Sequence, residues 1–214
     1  MKKNTTSAWF LDLSLAPAQK LVSALVLTLV LSMALPTQSL AQFSTPTETV
    51  QNMYDAVFTI LKAPGFNLDR DKQRIDDAVS VAFDTNTIAQ SALAANYREL
   101  SAEQRVEFEE LFFSILKNTF IERLDAYTDE SVEVTGQEVD GNRGTVQSVV
   151  YASNSDISVN YSMRQRPNGW FIYDIVVEDV SLLSSYRSTY RSIIRRSGID
   201  SLLNDLRTQA IELE

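Results

Sequence analysis

The sequence predicts an α+β domain: a four-stranded antiparallel meander with N-terminal and C-terminal helices packed against it. Three features carry that reading. Apolar residues recur at helical spacing from Val50 to Leu124, the period drops to two after Asp129, and helical spacing returns after Val180. The segments of period two are separated by short turns, which join antiparallel neighbours.

Residues 1–41 read as a secretory signal. Lys2, Lys3 and Lys20 precede an apolar run from Leu21 to Leu35, and Ser39-Leu40-Ala41 supplies small residues for cleavage after Ala41. That run is shorter than the roughly 20 residues that span a bilayer, so removal is expected rather than anchoring. Residues 42–214 are then expected to form one soluble domain, held without disulfides because the chain has no cysteine.

Thr45-Pro46-Thr47-Glu48 has the pattern of a capping box with proline at the first helical position. The helix behind it carries Val50, Met53, Tyr54, Val57, Phe58 and Leu61 on one face and stops at Pro64-Gly65. A second helix is predicted from about Asp69 to Ala82, and a third, capped by Asp84, through Ile88 to Leu93. Ser101 and Gln104 cap a long helix reaching about Tyr127. At about 100° per residue, the apolar side chains of that helix cover an arc of roughly 220°, twice what a surface helix needs. It is therefore surrounded on several sides, either as the centre of a packed core or with a core on one side and an apolar cavity on another.

Val132 and Val134 open the first strand, and Asp140-Gly141-Asn142 turns the chain. Thr145 to Tyr151 form the second strand, followed by a turn at Ser153 to Asp156. Ile157, Val159, Tyr161 and Met163 then alternate with polar residues. After Pro167-Asn168-Gly169 comes the strand that begins at Trp170. It is apolar on both faces, which places it inside the sheet. Leu182 to Arg196 form a helix that Gly198 stops in the left-handed conformation, and Asp200 or Ser201 caps a last helix.

The chemistry is restricted. With no His and no Cys, the common nucleophile–base pairs, the standard zinc ligand sets and thiol redox chemistry are missing. No glycine-rich phosphate loop is present. The chain's net charge of −9 becomes −11 once the three lysines and one aspartate of residues 1–41 are left out. That acidity disfavours nucleic acid and anionic membrane surfaces as partners. Asp174, in an apolar strand, is either a general base or an acceptor for neighbouring backbone or Arg groups. Arg187, Arg191 and Arg195 form a stripe that is either a solvated flank or a surface for phosphate or an acidic partner.

One stretch resembles a known family. Trp170, Tyr173-Asp174, Glu178, Val180-Ser181-Leu182, Tyr186-Arg187 and Gly198-Ile199-Asp200 with Leu202 are similar to the MlaC/toluene-tolerance family of periplasmic phospholipid carriers. Asp179 departs, standing where the family usually has glycine. The resemblance implies a non-enzymatic, cofactor-free monomer that shuttles phospholipid in an apolar cavity between sheet and helices. Its partners would be an outer-membrane lipoprotein–porin complex and an inner-membrane MCE/ABC transporter complex. The cavity lining expected on that basis is Phe112, Ile115, Leu116 and Phe120 from the long helix, Ile157, Val159, Tyr161, Met163, Tyr173 and Ile175 from the strands, and Leu183 and Tyr186 beyond them. Arg187 and Arg191 are the candidates for head-group or partner contact. A related branch implies a hopanoid or sterol-like lipid as an alternative cargo, and an Asp174-based enzyme is the reading from another class.

Overall fold

In the computed structural model the described residues are 43–124, 131–152 and 155–213. Helices α1 (Pro46–Leu61), α2 (Leu68–Ser80), α3 (Thr85–Leu93) and α4 (Ala102–Leu124) precede the sheet, with a 3₁₀ segment, Ala94–Glu99, between the last two. Strands β1 (Ser131–Asp140), β2 (Arg143–Ala152), β3 (Ser155–Arg166), β4 (Gly169–Val177) and β5 (Val180–Ser181) follow in spatial order 1-2-3-4-5. Helices α5 (Leu182–Ser197) and α6 (Ile199–Glu212) close the chain. The meander is as expected, with one strand more: β5 is two residues long and pairs with Val176 and Val177, too short to register as a period.

The expected caps on the N-terminal helices form. Thr45 and Glu48 make the reciprocal capping box of α1, Asp84 accepts from the Thr87 amide at 3.0 Å, and Ser101 exchanges hydrogen bonds with Gln104. Two details at the C-terminal end differ. Gly198 sits at φ 83°, ψ 173°, an extended conformation open essentially to glycine, rather than in the left-handed helical region. Gly198 itself is the first residue outside α6, so neither Asp200 nor Ser201 caps it, and Asp200 instead accepts from Gln104 Nε2 at 3.0 Å.

The edge of β4 that faces away from β3 organises the helices. The Trp170 amide donates to the Phe43 carbonyl at 3.3 Å, and the Trp170 carbonyl accepts from Thr49 Oγ1 at 3.0 Å. Farther along, the Ile172 amide donates to Ala82 O at 2.8 Å and the Asp84 amide donates to Ile172 O at 2.9 Å. The α2–α3 connection thus runs beside β4 as a short parallel bridge, and β5 takes up the end of the strand. An edge that would otherwise template aggregation is covered along its length.

Three apolar clusters result. One lies among α3, α4, α5 and α6, centred on Phe108, Phe112, Ile115, Leu202 and Leu206. The second lies between α1 and the inner face of the sheet, and the third joins α1, α2 and Ile121 of α4. Phe83, in the segment bridged to β4, packs against all three.

Asp84 locks this junction. Its carboxylate accepts from Thr87 and from Arg166 at the end of β3, whose Nε is 2.7 Å away. Burial pushes the Asp84 carboxyl up, but the Thr87 hydroxyl and amide together with Arg166 outweigh it, so the group titrates below the usual carboxylate range. Asp84→Asn is expected to lower stability by about 2 kcal/mol at neutral pH, through a weakened cap and an Arg166 without its counter-charge. A carboxylate with a depressed folded pKa contributes fully above its unfolded value of about 3.9, and that contribution disappears as pH falls through the folded pKa. The gap between wild type and variant in chemical denaturation should therefore narrow below pH of about 4 and hold constant above it.

The β4–β5 turn is a two-residue hairpin in which Glu178 has φ 46° and Asp179 φ 62°. Both positive values mark the turn type whose second position favours glycine. Asp179 bears that conformation at a cost, so Asp179→Gly is expected to stabilise the protein by about 1 kcal/mol, a rise in melting temperature of roughly 2–4 °C.

Candidate functional site

The inner face of the sheet is covered unevenly. On β3, Ile157 is half-buried while Val159, Tyr161 and Met163 are buried. On β4, Val177 and Ile175 are half-buried while Ile172 and Trp170 are buried, and on β2, Val150 is half-buried while Ser148 and Val146 are buried. The strands are antiparallel, so all three gradients run in one spatial direction. The face is covered at the β3–β4 hairpin and only half-covered toward Val150, Ile157 and Val177.

Close filling marks the covered end. Pro46 and Trp170 lie so near Gly144 that a Cβ there would meet them at 3.1 and 3.2 Å. Val50, Met53 and Ala82 complete this floor.

The long helix shows why its apolar arc is so wide. Phe108, Phe112 and Ile115 point into the helical cluster, and Ile121, well round the helix, into the α1–α2 cluster. Between those directions lies an arc formed by Leu116, Phe120 and Phe113. Leu116 and Phe113 are half-buried, and Phe120 is 39 % exposed and belongs to none of the three clusters. The α4 backbone packs along α2, α3 and α6, and no described strand runs alongside it. Phe83 links the two incompletely covered surfaces: its ring lies 5.9 Å from Phe113 and it also packs on the inner-face cluster of the sheet.

The twelve expected lining residues therefore divide. Phe112, Ile115 and Leu183 are buried in the helical cluster, with Leu116, Tyr173 and Tyr186 half-buried against it. Val159, Tyr161 and Met163 are buried in the sheet cluster, with Ile157 and Ile175 half-buried against it. Phe120 stands outside both. A bulge explains why Tyr173 and Ile175 part: the β3–β4 register shifts between Ser162 and Met163, so Ile175 and Ile172 share the inner face while Tyr173 turns to the helices. Arg187 donates through Nε to the Ser91 carbonyl at 2.7 Å, tying α5 to α3, and Arg191 is exposed. Both Asp174 oxygens hold the start of α5, accepting from Ser181 Oγ at 2.6 Å and the Leu183 amide at 3.0 Å.

Sequence reasoning missed Phe83, Val150 and Val177 as members of these walls, and did not place Tyr54 and Phe58 of α1 beside them. The Tyr54 ring stacks on Phe58 at 5.9 Å and its hydroxyl bonds to that of Tyr161. Burial pushes the Tyr161 phenol well above its usual range, and the neighbouring Tyr54 adds to this. Ser148 lies beside the pair and donates to Val159 O at 2.8 Å, so a short polar chain threads an otherwise apolar wall. A half-open groove of about 440 Å³ lies elsewhere, between α5 and α6, lined by Tyr186, Tyr190, Asp205 and Gln209 among others. No described helix is long and apolar enough to cross a membrane, and the described residues contain no cluster suited to a metal ion.

Residues 51–208 match the family model for the MlaC protein. The chain belongs to the MlaC family. A relative from Haemophilus influenzae, the intermembrane phospholipid transport system binding protein MlaC, is 21 % identical over 195 residues, covering 86 % of this chain and 91 % of that protein. A phospholipid-binding protein from Ralstonia solanacearum, solved in complex with a phospholipid, superposes with a TM-score of 0.70 at 24 % identity, covering 77 % of this chain and 96 % of that one. The α+β meander of this chain is thus the fold of that phospholipid-complexed protein, in keeping with its membership of the MlaC family.

The tyrosine pair yields a prediction independent of any ligand. Tyr54→Phe leaves the buried Tyr161 hydroxyl short of a partner and is expected to cost about 1–2 kcal/mol. Adding Tyr161→Phe should recover part of that loss, a non-additivity readable in a double-mutant cycle by denaturant unfolding.

Proposed function

We propose that this protein is a soluble phospholipid carrier. The acyl chains lie in the recess between the inner face of the sheet and the Phe113–Leu116–Phe120 arc of α4, and the head group sits at the half-covered end. The observation that carries the reading is the coincidence of two half-covered apolar surfaces, the inner sheet face and the α4 arc, that both touch Phe83, with the sheet face closely filled at its Trp170 end. A soluble domain gains about 25 cal/mol for each Å² of apolar surface it removes from water, so a sheet face that stays partly uncovered calls for a tenant. The lipid named for the Ralstonia structure and the transport system named for the Haemophilus relative support the same ligand class.

The energetics fit a shuttle. Two chains of about 15 methylenes, at roughly 0.8 kcal/mol each, would cost on the order of 24 kcal/mol to expose to water. Unassisted transfer through an aqueous compartment is negligible, whereas exchange between a membrane and a matching apolar recess is close to neutral. Direction is then set by partners. In this reading the chain is secreted into the periplasm, cleaved after Ala41, and loads and unloads lipid at an outer-membrane lipoprotein–porin complex and an inner-membrane MCE/ABC transporter complex. No bond is made or broken, and Asp174 serves the fold rather than a reaction.

Mass spectrometry of an organic extract of the purified protein tests this. Wild type should release phospholipid near one molecule per chain. Phe120→Asp and Ile157→Asp place a charge on partly exposed positions of the two walls, where folding tolerates it, and should cut the yield at least roughly fivefold with circular dichroism unchanged. Asp at Ile115 or Tyr161, both buried, would unfold the protein and decide nothing. An extract free of lipid, or dominated by a polycyclic lipid, would replace the proposal.

A further inference from the structure

One cation interrupts the apolar arc of α4. Lys117 stands between Phe113 and Phe120, with its side chain only 19 % exposed and its ammonium 5.1 Å from the centre of the Phe113 ring. Its ion-pair partner is Asp76 of α2, itself 23 % exposed and in loose reach of Gln73 and Ser80. Lysine is rarely placed this deep, because removing its charge from water is costly unless the site uses it. A surface lysine would tie α4 to α2 at a smaller desolvation cost.

The donor count leaves room for a ligand. An ammonium has three N–H groups. Among the described residues, Asp76 takes one and the Phe113 face offers only a diffuse attraction, so two N–H groups remain. Lys117 lies one helical turn from Phe120, the most exposed aromatic of the arc that the proposed acyl chains would follow. The arginines singled out by pattern are placed less well: Arg187 is engaged with Ser91, and Arg191 stands on the exposed side of α5.

We propose that Lys117 is the phosphate-binding residue of this protein, with Asp76 as the counter-ion that holds the ammonium in place and is partly displaced by the head group. This inference rests on the carrier reading and adds what that reading lacks, a named contact for the polar end of the lipid. Asp76 also moderates the site. A bare lysine would hold the phosphate too firmly for release, and a neighbouring carboxylate weakens the grip.

Calorimetric titration of delipidated protein with two twelve-carbon amphiphiles, dodecyl phosphate and dodecyl maltoside, separates the contributions of tail and head. Wild type should bind both and favour the phosphate. Lys117→Gln, which keeps most of the apolar stem, should lose roughly tenfold in affinity for dodecyl phosphate with the maltoside unchanged. Asp76→Asn should shift the other way and bind the phosphate more tightly, while Lys117→Arg should keep the preference. A merely structural ion pair would lower the melting temperature in both charge-removing variants and leave the phosphate-to-maltoside ratio untouched. That ratio holding constant, or Asp76→Asn failing to raise it, overturns the proposal while the carrier reading stands. Failure of wild type to bind either amphiphile takes both down together.

Discussion

The hydrogen bonds along the outer edge of β4 hold the helices to the sheet and in doing so define the space beside it. Phe43, Thr49, Ala82 and Asp84 each satisfy a backbone group of Trp170 or Ile172. Buried amide and carbonyl groups left without partners would cost roughly 1–3 kcal/mol apiece, so these contacts are tightly specified. They anchor α1 and the α2–α3 connection at one end of the strand. At the other end of that edge, where Ile175 and Val177 are half-buried, the strand partner among the described residues is the two-residue β5. A sheet clamped at one end and loosely covered at the other is tapered by construction.

Phe83 converts that clamp into a three-way junction. It follows Ala82, whose carbonyl takes the Ile172 amide, and precedes Asp84, whose amide completes the bridge and whose carboxylate caps α3 and pairs with Arg166. Its ring can then reach the helical cluster, the inner face of the sheet and the α1–α2 cluster at once. The sheet face and the α4 arc thereby share one fixed contact at Phe83. A core packed to ordinary density throughout would bury Phe120, Ile157 and Ile175 as completely as Phe108 and Met163.

Much of this was legible in the residues. The capping box at Thr45, the caps at Asp84 and Ser101 and the alternation of Ile157 to Met163 each rest on local rules, and each formed as read. The width of the α4 arc announced that the helix has neighbours on several sides, though width cannot distinguish a filled side from a half-filled one. What stayed hidden depends on contacts distant in sequence. The bulge that parts Tyr173 from Ile175 leaves no mark in a strand apolar on both faces. Phe83 lies in a connection between helices, where pattern assigns it to neither. Lys117 reads as one more charge on a long helix until Asp76 and the Phe113 ring are seen around it.

The central claim is spatial: lipid tails enter at the Phe120 and Val177 end and reach toward Trp170. In the chain from Gln42 onward Trp170 is the one tryptophan, so its fluorescence reports on the sealed end. The direct measurement is quenching of that fluorescence by phospholipids brominated at different depths along the acyl chain. Strong quenching by bromine near the chain terminus and little by bromine near the ester is the predicted result. Quenching that is absent, or equal at every bromine position, would contradict a tail-first fit into a recess that closes on Trp170.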